Sequence, residues 1–403
     1  PAGHWKGSAR FDVSSGPMAS PARSSRCCAI QNCVGHRAKQ HIRRPAHWAA
    51  PATGRWWKSC DFSTTVGGVR VRTPEFWNPG SNGGAQASLL TPLAWGYVMI
   101  RQVRRAFVTP QQVEVPVICV GNIIAGGAGK TPTSLALAKL MQEWGMAPHF
   151  LTRGYGGTAR GPMRVDPARH KARTVGDEPL LLARQAPTWL SRNRPAGARA
   201  AIADGADAIV MDDGLQNLSL IKDVSLIVVD GSFGFGNERL IPAGPLRESL
   251  FEGLSRADAI VLVGPDEVGV IARLGNNRAP LLRAELTPTL QALKLRERAV
   301  VAFAGIARPA KFFRTLEAIG CRIIKRIHFA DHRRYTPDEI MTLVEYAGAQ
   351  GAIAVTTEKD WVRLPEEAKP MVQSVAVTLE WQDPEAVREL LIPTLTGAAS
   401  SDG

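Results

Sequence analysis

The sequence predicts an α/β fold in which a parallel sheet is covered by helices. Short, continuously apolar strands alternate with helical stretches from about residue 115 onwards. The clearest strands are Ala147–Arg153, Ala208–Asp213, Ser225–Asp230, Ala259–Val263, Ala299–Gly305 and Ala352–Asp360. Strands with no polar face are typical of parallel sheets that carry helices on both sides. We therefore expect ligands at the carboxyl edge of such a sheet.

Length and strand spacing predict two folded domains. A chain of 403 residues exceeds the roughly 150 residues that one domain usually takes. The strand at Ala299–Gly305 is expected to open a second, smaller α/β domain. The predicted parts are an N-terminal extension (1–72), a helix region (73–110), a main domain (111–295), the smaller domain (296–393) and a flexible tail (394–403).

A phosphate-binding loop is predicted to open the main domain. The apolar strand Val115–Val120 leads into the stretch G-N-I-I-A-G-G-A-G-K-T, and an alanine- and leucine-rich helix follows. In such a loop, backbone N–H groups and the helix N-terminus hold a polyphosphate, the lysine reaches the terminal phosphates and the threonine binds Mg²⁺. The expected nucleotide-binding residues are Gly126, Gly127, Ala128, Gly129, Lys130 and Thr131. The spacing match is partial, because Ile124 stands where the first glycine belongs. The main domain is nevertheless predicted to resemble a P-loop NTPase.

Acidic residues that follow the next strands predict a metal site. Asp212 and Asp213 end the strand Ala208–Asp213, where a phosphate-loop protein needs a carboxylate to handle Mg²⁺. An ordinary strand–helix turn usually needs a single capping aspartate, so the pair favours function. Glu248 could also reach the metal, and its neighbour Arg247 could offset charge in a transition state.

Three further segments offer candidate site residues. Arg153-Gly154-Tyr155-Gly156 follows a strand and supplies a cation and flexible backbone to a substrate. Asp177, in G-D-E-P, is either a helix cap or a base that takes a proton from a phosphoryl acceptor. His332, in F-A-D-H-R-R-Y, is either a solvated loop histidine or a functional one.

Residues 1–72 differ in composition from the rest of the chain. They contain 12 Lys and Arg but 2 Asp and Glu, so they carry +10 of the net charge of +13. Because the other 331 residues carry only +3, we expect no nucleic-acid partner for the folded part. The extension is expected to be disordered or an over-long start of the reading frame, with a targeting or RNA-binding tail as the alternative. Its Cys27, Cys28, Cys33, His36 and His41 match no common zinc spacing.

An amphipathic helix is predicted at 89–107. Its apolar part, Leu89–Ile100, is too short to span a bilayer, which takes about 20 residues. It contains two aromatic residues and ends in three arginines, a combination typical of helices that lie in a membrane interface. These residues are Trp95, Tyr97, Arg101, Arg104 and Arg105. The alternative is an ordinary packed helix.

Seven segments, taken in order, carry a resemblance to a known family. They are G-N-I-I-A-G-G-A-G-K-T-P, R-G-Y-G-G, V-G-D-E-P, D-D-G-L-Q, L-I-P-A-G-P-L-R-E, F-A-D-H and T-T-E-K-D. From about Pro74 to Pro393 the chain closely resembles the tetraacyldisaccharide 4′-kinases of lipid A biosynthesis. The resemblance implies ATP- and Mg²⁺-dependent phosphorylation of the 4′-hydroxyl of a tetraacyl glucosamine disaccharide 1-phosphate, the lipid A precursor. It also implies attachment to the cytoplasmic face of the bacterial inner membrane through the N-terminal helix.

The resemblance implies a role for each matching residue. Lys130 and Thr131 would bind the ATP phosphates and Mg²⁺, and Asp177 would be the catalytic base, tuned by His332. The implied metal-site residues are Asp212, Asp213, Gln216 and Glu248. We expect the protein to be a monomer.

Other residues follow the family pattern less closely. Arg247 would steady the phosphates, and Arg153–Gly156 would line the substrate side. Leu215 and Asn217 replace the family's usual aromatic residue and histidine, so no role follows for those side chains.

Two rival functions stay open on the residues alone. A phosphate-loop GTPase or ATPase that serves as a switch or metallochaperone would hydrolyse nucleotide without a lipid acceptor. A basic nucleic-acid-binding protein would depend on residues 1–72 for its binding.

Overall fold

The structure is a computed structural model that describes residues 74–81, 84–275 and 277–397. The predicted extension, its cysteine and histidine cluster, and residues 398–403 of the predicted tail lie outside the described residues. Two sheets and their covering helices make up the described part of the chain.

The larger sheet has nine strands within the described residues. In chain order they are β1 (Val117–Gly121), β2 (Pro148–Thr152), β3 (Met163–Arg164), β4 (Thr188–Leu190), β5 (Ala208–Asp212), β6 (Val224–Asp230), β7 (Ala259–Val263), β8 (Leu281–Pro288) and β13 (Val377–Trp381). Across the sheet their order is β13-β8-β7-β6-β1-β5-β2-β4-β3. Neighbours from β8 to β4 pair in parallel, and β3 and β13 close the two edges in antiparallel pairs. The predicted α/β fold with a parallel sheet is therefore confirmed.

Twelve helices in the described residues cover the two sheets. They are α1 (Gly84–Ala106), α2 (Lys130–Glu143), α3 (Ala172–Val175), α4 (Asp177–Leu182), α5 (Arg194–Ala203), α6 (Leu250–Leu254), α7 (Val270–Leu274), α8 (Leu290–Leu293), α9 (Pro309–Ile319), α10 (Pro337–Ala349), α11 (Glu358–Trp361) and α12 (Pro384–Gly397). Strands β1, β2, β5, β6 and β7 are buried at every position. Because successive side chains of a strand point to opposite faces, continuous burial means that both faces are covered.

The smaller sheet has four parallel strands in the order β10-β9-β11-β12. They are β9 (Ala299–Ala304), β10 (Arg322–His328), β11 (Ile353–Thr357) and β12 (Gln373–Val375). Two apolar clusters stabilise it, one with Phe312 and Leu316 of α9 and one with Ile340 and Leu343 of α10. This sheet begins where the sequence predicts that a second group of strands opens.

The chain then returns to the larger sheet. Strand β13 pairs with β8, and α12 places Val387, Leu391 and Leu395 in the core of the larger sheet. These elements fall inside the predicted smaller domain (296–393), and residues 394–397 of the predicted tail belong to α12. The division into two domains stays a prediction, and the four-stranded sheet itself comprises residues 299–375.

Helix α1 lies against the body through a narrow face. Ala87 and Ala94 are buried, whereas the large apolar side chains of the opposite face are exposed. Those exposed residues are Leu89, Leu93, Trp95, Met99, Ile100, Val103 and, just beyond the helix, Phe107. Among the described residues, no helix combines the length and apolarity needed to cross a bilayer.

Candidate active site

The phosphate loop joins β1 to α2 at the carboxyl edge of the larger sheet. Gly129 precedes α2 with a φ of 95°, and Gly126 has a φ of 117°. Both values lie in the region that glycine adopts without a steric cost. A helix of 14 residues therefore begins directly at Lys130, and its first N–H groups have no partner within the helix. Such a terminus favours an anion.

Lys130 is held in place within the loop. Its ammonium donates to Asn122 Oδ1 at 3.2 Å and lies 3.4 Å from Asp213 Oδ1. Only 8% of the residue is exposed. The cation thus stands at the start of α2 between the loop and the end of β5.

The adjacent carboxylates Asp212 and Asp213 have opposite electrostatic environments. Asp212 is fully buried and accepts hydrogen bonds from Ser134 Oγ at 2.9 Å and Thr131 Oγ1 at 3.4 Å. Burial, with the nearby charges of Glu178 and Asp213, raises the pKa of Asp212 to about 7. It has no ion-pair partner among the residues that the structure describes.

Asp213, by contrast, is neutralised by two cations. Its backbone is left-handed, with a φ of 53°, and its Oδ1 accepts from Arg247 Nη1 at 3.0 Å. Burial raises the pKa of Asp213, but Lys130 and Arg247 outweigh burial and hold it far below the usual value. The pair therefore offers one charge-balanced carboxylate and one whose negative charge is uncompensated.

These residues fit a bound Mg²⁺ and nucleotide. In the described part of the chain, no three acidic, histidine or cysteine side chains form a metal site of their own. Mg²⁺ usually takes one or two carboxylates and completes its shell with substrate phosphates and water. A hydroxyl on Thr131, the uncompensated Asp212 and a loop that favours anions meet that requirement.

Arg247, Gln216 and Glu248 form a hydrogen-bonded chain beside the carboxylates. Arg247 Nη1 donates to Gln216 Oε1 at 3.2 Å, and Gln216 Nε2 donates to Glu248 Oε1 at 2.9 Å. Glu248 is fully buried. Its Oε2 accepts from three guanidinium groups, those of Arg101, Arg105 and Arg256. Direct metal binding by Gln216 and Glu248 stays a prediction, and the structure adds these arginines as partners of Glu248.

Arg101 and Arg105, near the end of α1, point inward. Arg101 Nη2 lies 2.8 Å from Glu252 Oε2, and Arg105 Nη1 lies 3.1 Å from Glu252 Oε1. The sequence predicts that Arg101 and Arg105 belong to the basic end of a helix that lies in a membrane interface. That prediction is wrong for these two side chains, because buried Glu248 and half-buried Glu252 require counter-charges and draw the arginines towards the body.

Asp177 and His332 meet although they are far apart in sequence. Asp177 is the first residue of α4 and is nearly buried, and His332 Nδ1 lies 3.7 Å from Asp177 Oδ2. His332 has a left-handed backbone, with a φ of 55°. The N-cap of α4 is Gly176, so the alternative that Asp177 caps the helix is wrong.

Arg363 is the partner of Asp177 that sequence reasoning missed. Its Nε donates to Asp177 Oδ2 at 3.1 Å, and its Nη2 contacts the same oxygen and lies 3.3 Å from His332 Nδ1. Burial raises the pKa of Asp177, but Arg363 and Lys359 outweigh burial and lower it below the usual value. The one signal in the sequence is position, since Arg363 comes three residues after Asp360 of T-T-E-K-D, the spacing of neighbours on a helix.

The T-T-E-K-D segment holds this cluster in place through hydrogen bonds of Asp360 and Lys359. Asp360 Oδ1 accepts from Tyr335 OH at 2.8 Å and from Arg363 Nη1 at 3.1 Å. Lys359 Nζ donates to Glu178 Oε1 at 2.6 Å. The segment therefore ties α4 to the carboxyl end of β11.

The predicted substrate segment lies beside His332. The Tyr155 ring meets the His332 ring edge-on, with centroids 5.2 Å apart, and Tyr155 is exposed. Gly154 and Gly156 have φ values of 71° and 78°. A side chain on Gly154 would collide with Leu190, so only glycine fits this approach.

A cleft of about 570 Å³ opens between the two carboxylates that end β5 and the predicted substrate segment. Carboxylates from two elements and several arginines line it. The lining includes Tyr97, Arg101, Arg105, Arg153, Tyr155, Glu178, Arg192, Arg194, Asp212, Asp213, Gln216, Asn217 and Arg247. Asn217 thus reaches the cleft, whereas Leu215 is buried in the core. The basic wall suits an anionic acceptor.

Comparison with known proteins agrees with this geometry. The sequence profile of the family described as "Tetraacyldisaccharide-1-P 4'-kinase" matches residues 86–396. The tetraacyldisaccharide 4'-kinase of Rhodospirillum centenum is 49% identical over 330 residues, which cover 81% of this chain and 98% of the relative. That of Rhodospirillum rubrum is 48% identical over 334 residues, which cover 82% of this chain and 100% of the relative.

A solved structure shares the fold. The crystal structure of LpxK from Aquifex aeolicus in complex with ATP is 26% identical, with a TM-score of 0.62. The match covers 77% of this chain and 99% of that chain. The chain therefore belongs to the tetraacyldisaccharide-1-P 4′-kinase family.

Proposed function

We propose that the protein transfers the γ-phosphoryl group of ATP to the 4′-hydroxyl of a tetraacyl glucosamine disaccharide 1-phosphate. One observation carries this proposal: the two carboxylates that end β5, next to the phosphate loop, share a basic cleft with Arg153 and Tyr155 of the predicted substrate segment. Glu178, adjacent to Asp177, lines the same cleft as Asp212. We infer that the cleft connects the carboxylates beside the nucleotide to the neighbourhood of the proposed base, as transfer to a hydroxyl requires.

ATP and Mg²⁺ would be held by the loop and by the end of β5. Gly126–Gly129, Lys130 and the start of α2 would bind the phosphates, and Thr131, Asp212 and Asp213 would hold the metal. Bound ATP supplies the phosphoryl group, and Mg²⁺ supplies positive charge that offsets its oxygens. Arg247, already bonded to Asp213, is the cation that would steady the phosphates from the cleft side.

Asp177 is proposed as the base for the acceptor hydroxyl. Its lowered pKa keeps the carboxylate ionised at neutral pH. Because Arg363 contacts Oδ2, Oδ1 is the oxygen proposed to accept the proton in the transition state. His332 and Arg363 fix the orientation of that carboxylate. Tyr155, against the His332 ring, and Arg153, in the cleft, are proposed to line the acceptor site.

Glu248 is proposed to position Gln216 and Arg247. Because its Oε1 accepts from Gln216, and Gln216 accepts from Arg247, the buried carboxylate fixes the side chain that faces Asp213. Its Oε2 ties the same chain to α1 through arginines. The packing of α1 against the body is thus linked to the position of the Arg247 side chain.

We further propose that α1 lies in the membrane interface at the cytoplasmic face of the inner membrane and that the protein acts as a monomer. The exposed apolar face of α1 supports the membrane contact, since such a face is costly in water and stable among acyl chains. An acceptor with four acyl chains would reach the cleft from that surface.

The test is a product assay. Purified protein is incubated with ATP, Mg²⁺ and the disaccharide 1-phosphate, and the lipid is weighed by mass spectrometry. We expect one added phosphate and one ADP for each product. ADP formed at the same rate with no lipid acceptor would favour the switch or metallochaperone ATPase instead.

A further inference from the structure

Arg308 reaches the phosphate loop from the smaller sheet's side of the molecule. It is the residue directly before α9, which packs on the four-stranded sheet. A methyl group built on Gly126 would lie 3.9 Å from Arg308 Nη2 and 4.0 Å from Ala307 Cβ. The guanidinium therefore lies beside the loop at Gly126. This glycine has a φ of 117° and carries no side chain that could separate its backbone from the guanidinium.

One arm of this guanidinium is anchored. Arg308 Nη1 lies 3.0 Å from Asp230 Oδ2, and its plane covers the Phe233 ring at 3.8 Å from the centroid. Asp230 is the last residue of β6, at the same sheet edge as the phosphate loop, and it is nearly fully buried. The anchor fixes the direction in which the other arm points.

The other arm has no partner. Arg308 Nη2 is buried and finds no hydrogen-bond acceptor within the described part of the chain. Leaving a buried donor of a charged group unpaired is energetically costly, because the group loses its hydrogen bond to water without gaining another. An unpaired buried donor calls for a partner that the chain itself does not supply, and an anionic ligand oxygen is such a partner.

The local charge balance also favours an anionic ligand at this position. Asp230 Oδ2 also lies 3.0 Å from Lys311 Nζ, so two cations surround one carboxylate. The other oxygen, Oδ1, accepts from Ser232 N and Oγ. The cluster therefore has one positive charge in excess, beside a loop built for a polyphosphate.

We propose that Arg308 is a nucleotide-phosphate contact, so that bound ATP joins the smaller sheet to the phosphate loop. The free arm donates to a phosphate oxygen held on the loop at Gly126, while the anchored arm keeps its bond to Asp230. This inference rests on the proposed function, since it takes ATP as the ligand. Lys311 shares Asp230 but has no contact with the loop among the described residues, so it provides a matched control.

The experiment measures MgATP binding to the full chain by isothermal titration calorimetry, without lipid acceptor. Arg308→Gln should weaken ATP binding at least tenfold, Arg308→Lys should fall between that variant and the wild type, and Lys311→Gln should change binding less than threefold. Melting temperatures of the nucleotide-free proteins should fall by similar amounts in the two Gln variants, because each loses one cation of Asp230.

Three outcomes are decisive against the inference. Wild-type affinity in Arg308→Gln would show that the free arm contacts no phosphate. Equal weakening in both Gln variants would assign the effect to the Asp230 cluster as a structural unit. Wild-type protein that binds no ATP would overturn the proposed function together with this inference, whereas ATP binding without lipid phosphorylation would overturn the proposed function alone.

Discussion

Arg363 donates to Asp177 across 186 residues of sequence, and both side chains are almost completely buried. The bond joins the first turn of α4 to the segment that follows α11. It also places a guanidinium beside His332, at 3.3 Å from Nδ1. The carboxylate proposed as the base is thus oriented by a cation from a distant part of the chain.

Replacing Arg363 should change both the pH profile and the stability. Burial raises the pKa of Asp177 and the guanidinium lowers it, so Arg363→Met should move the acid limb of kcat to higher pH. Loss of one partner of a buried ion pair should also lower the free energy of unfolding by about 3–5 kcal/mol. The native contribution is present above the ordinary pKa of an aspartate and is lost as pH falls through the lowered folded value.

The control for this change is Arg363→Lys, which keeps the charge. We expect it to retain the wild-type acid limb at reduced kcat, as measured by pH-dependent turnover alongside thermal melting. An acid limb that is the same in Arg363→Met and in the wild type would contradict ionised Asp177 as the base.

Asp177 and His332 should behave as one unit. Asp177→Asn should lower kcat by about 10²–10⁴-fold with little change in ATP affinity, because general-base catalysis contributes that range. His332→Ala should lower kcat less. The double variant should be little worse than Asp177→Asn, since residues that act together are not additive. Fully additive losses in log kcat would place His332 outside the dyad.

Lys130→Ala should remove most of the activity. The ammonium is the one cation at the start of α2 that contacts both Asn122 and Asp213 among the described residues. Loss of a fixed electrostatic partner of the reacting phosphate lowers kcat by about 10²–10³-fold. Lys139→Ala on the same helix is the control, because Lys139 is exposed and pairs only with Glu143 in the described chain. Near-normal turnover of Lys130→Ala at saturating ATP would refute the phosphate-loop assignment.

Asp212→Asn should raise stability while it abolishes activity. The buried carboxylate has a pKa raised to about 7, so its ionised form is unfavourable in the protein without metal. Removing that charge should raise the free energy of unfolding by about 1–2 kcal/mol at pH 8. Thermal melting without Mg²⁺ and ATP, together with a turnover assay, measures both effects. A lower melting temperature would show that the Ser134 and Thr131 bonds outweigh the buried charge.

The exposed face of α1 should control membrane binding. Leu93→Ser with Ile100→Ser should weaken partition into phosphatidylglycerol vesicles by about 10²–10⁴-fold, because each buried aliphatic side chain contributes about 1.5–3 kcal/mol. Leu290→Ser, at a leucine of α8 that is even more exposed than Leu93 or Ile100, is the control and should leave partition unchanged. Co-sedimentation measures both. An equal loss of vesicle binding in the control, or no loss in the α1 variant, would contradict the proposal that α1 lies in the membrane interface.

Arg105 needs a different interpretation from the one that sequence suggested. Its ion pairs with Glu248 and Glu252 hold α1 to the body, so Arg105→Gln should lower the melting temperature. A charge change at this position therefore tests helix docking rather than attraction to lipid headgroups.

Local sequence was enough to predict the parallel sheet and the position of the phosphate loop at its carboxyl edge. Apolar strands without a polar face predict a parallel sheet that is covered on both sides. The glycines with Lys130 and Thr131 predict a phosphate-binding loop. Both patterns can be recognised locally, because each depends only on residues that are close together in the chain. Asp212 and Asp213 could be placed beside the loop because parallel strands end at one edge, and register confirms it, with Val120 opposite Asp212.

Tertiary structure alone decided how distant charges pair. Nothing in the periodicity of β13 says that it pairs with β8, and nothing near Arg363 names Asp177 as its partner. The inward turn of Arg105 has the same origin, since its direction follows from buried glutamates about 145 residues away. Hydrophobic periodicity is a local property of the chain, whereas the partner of a buried charge depends on which elements the folded chain brings together.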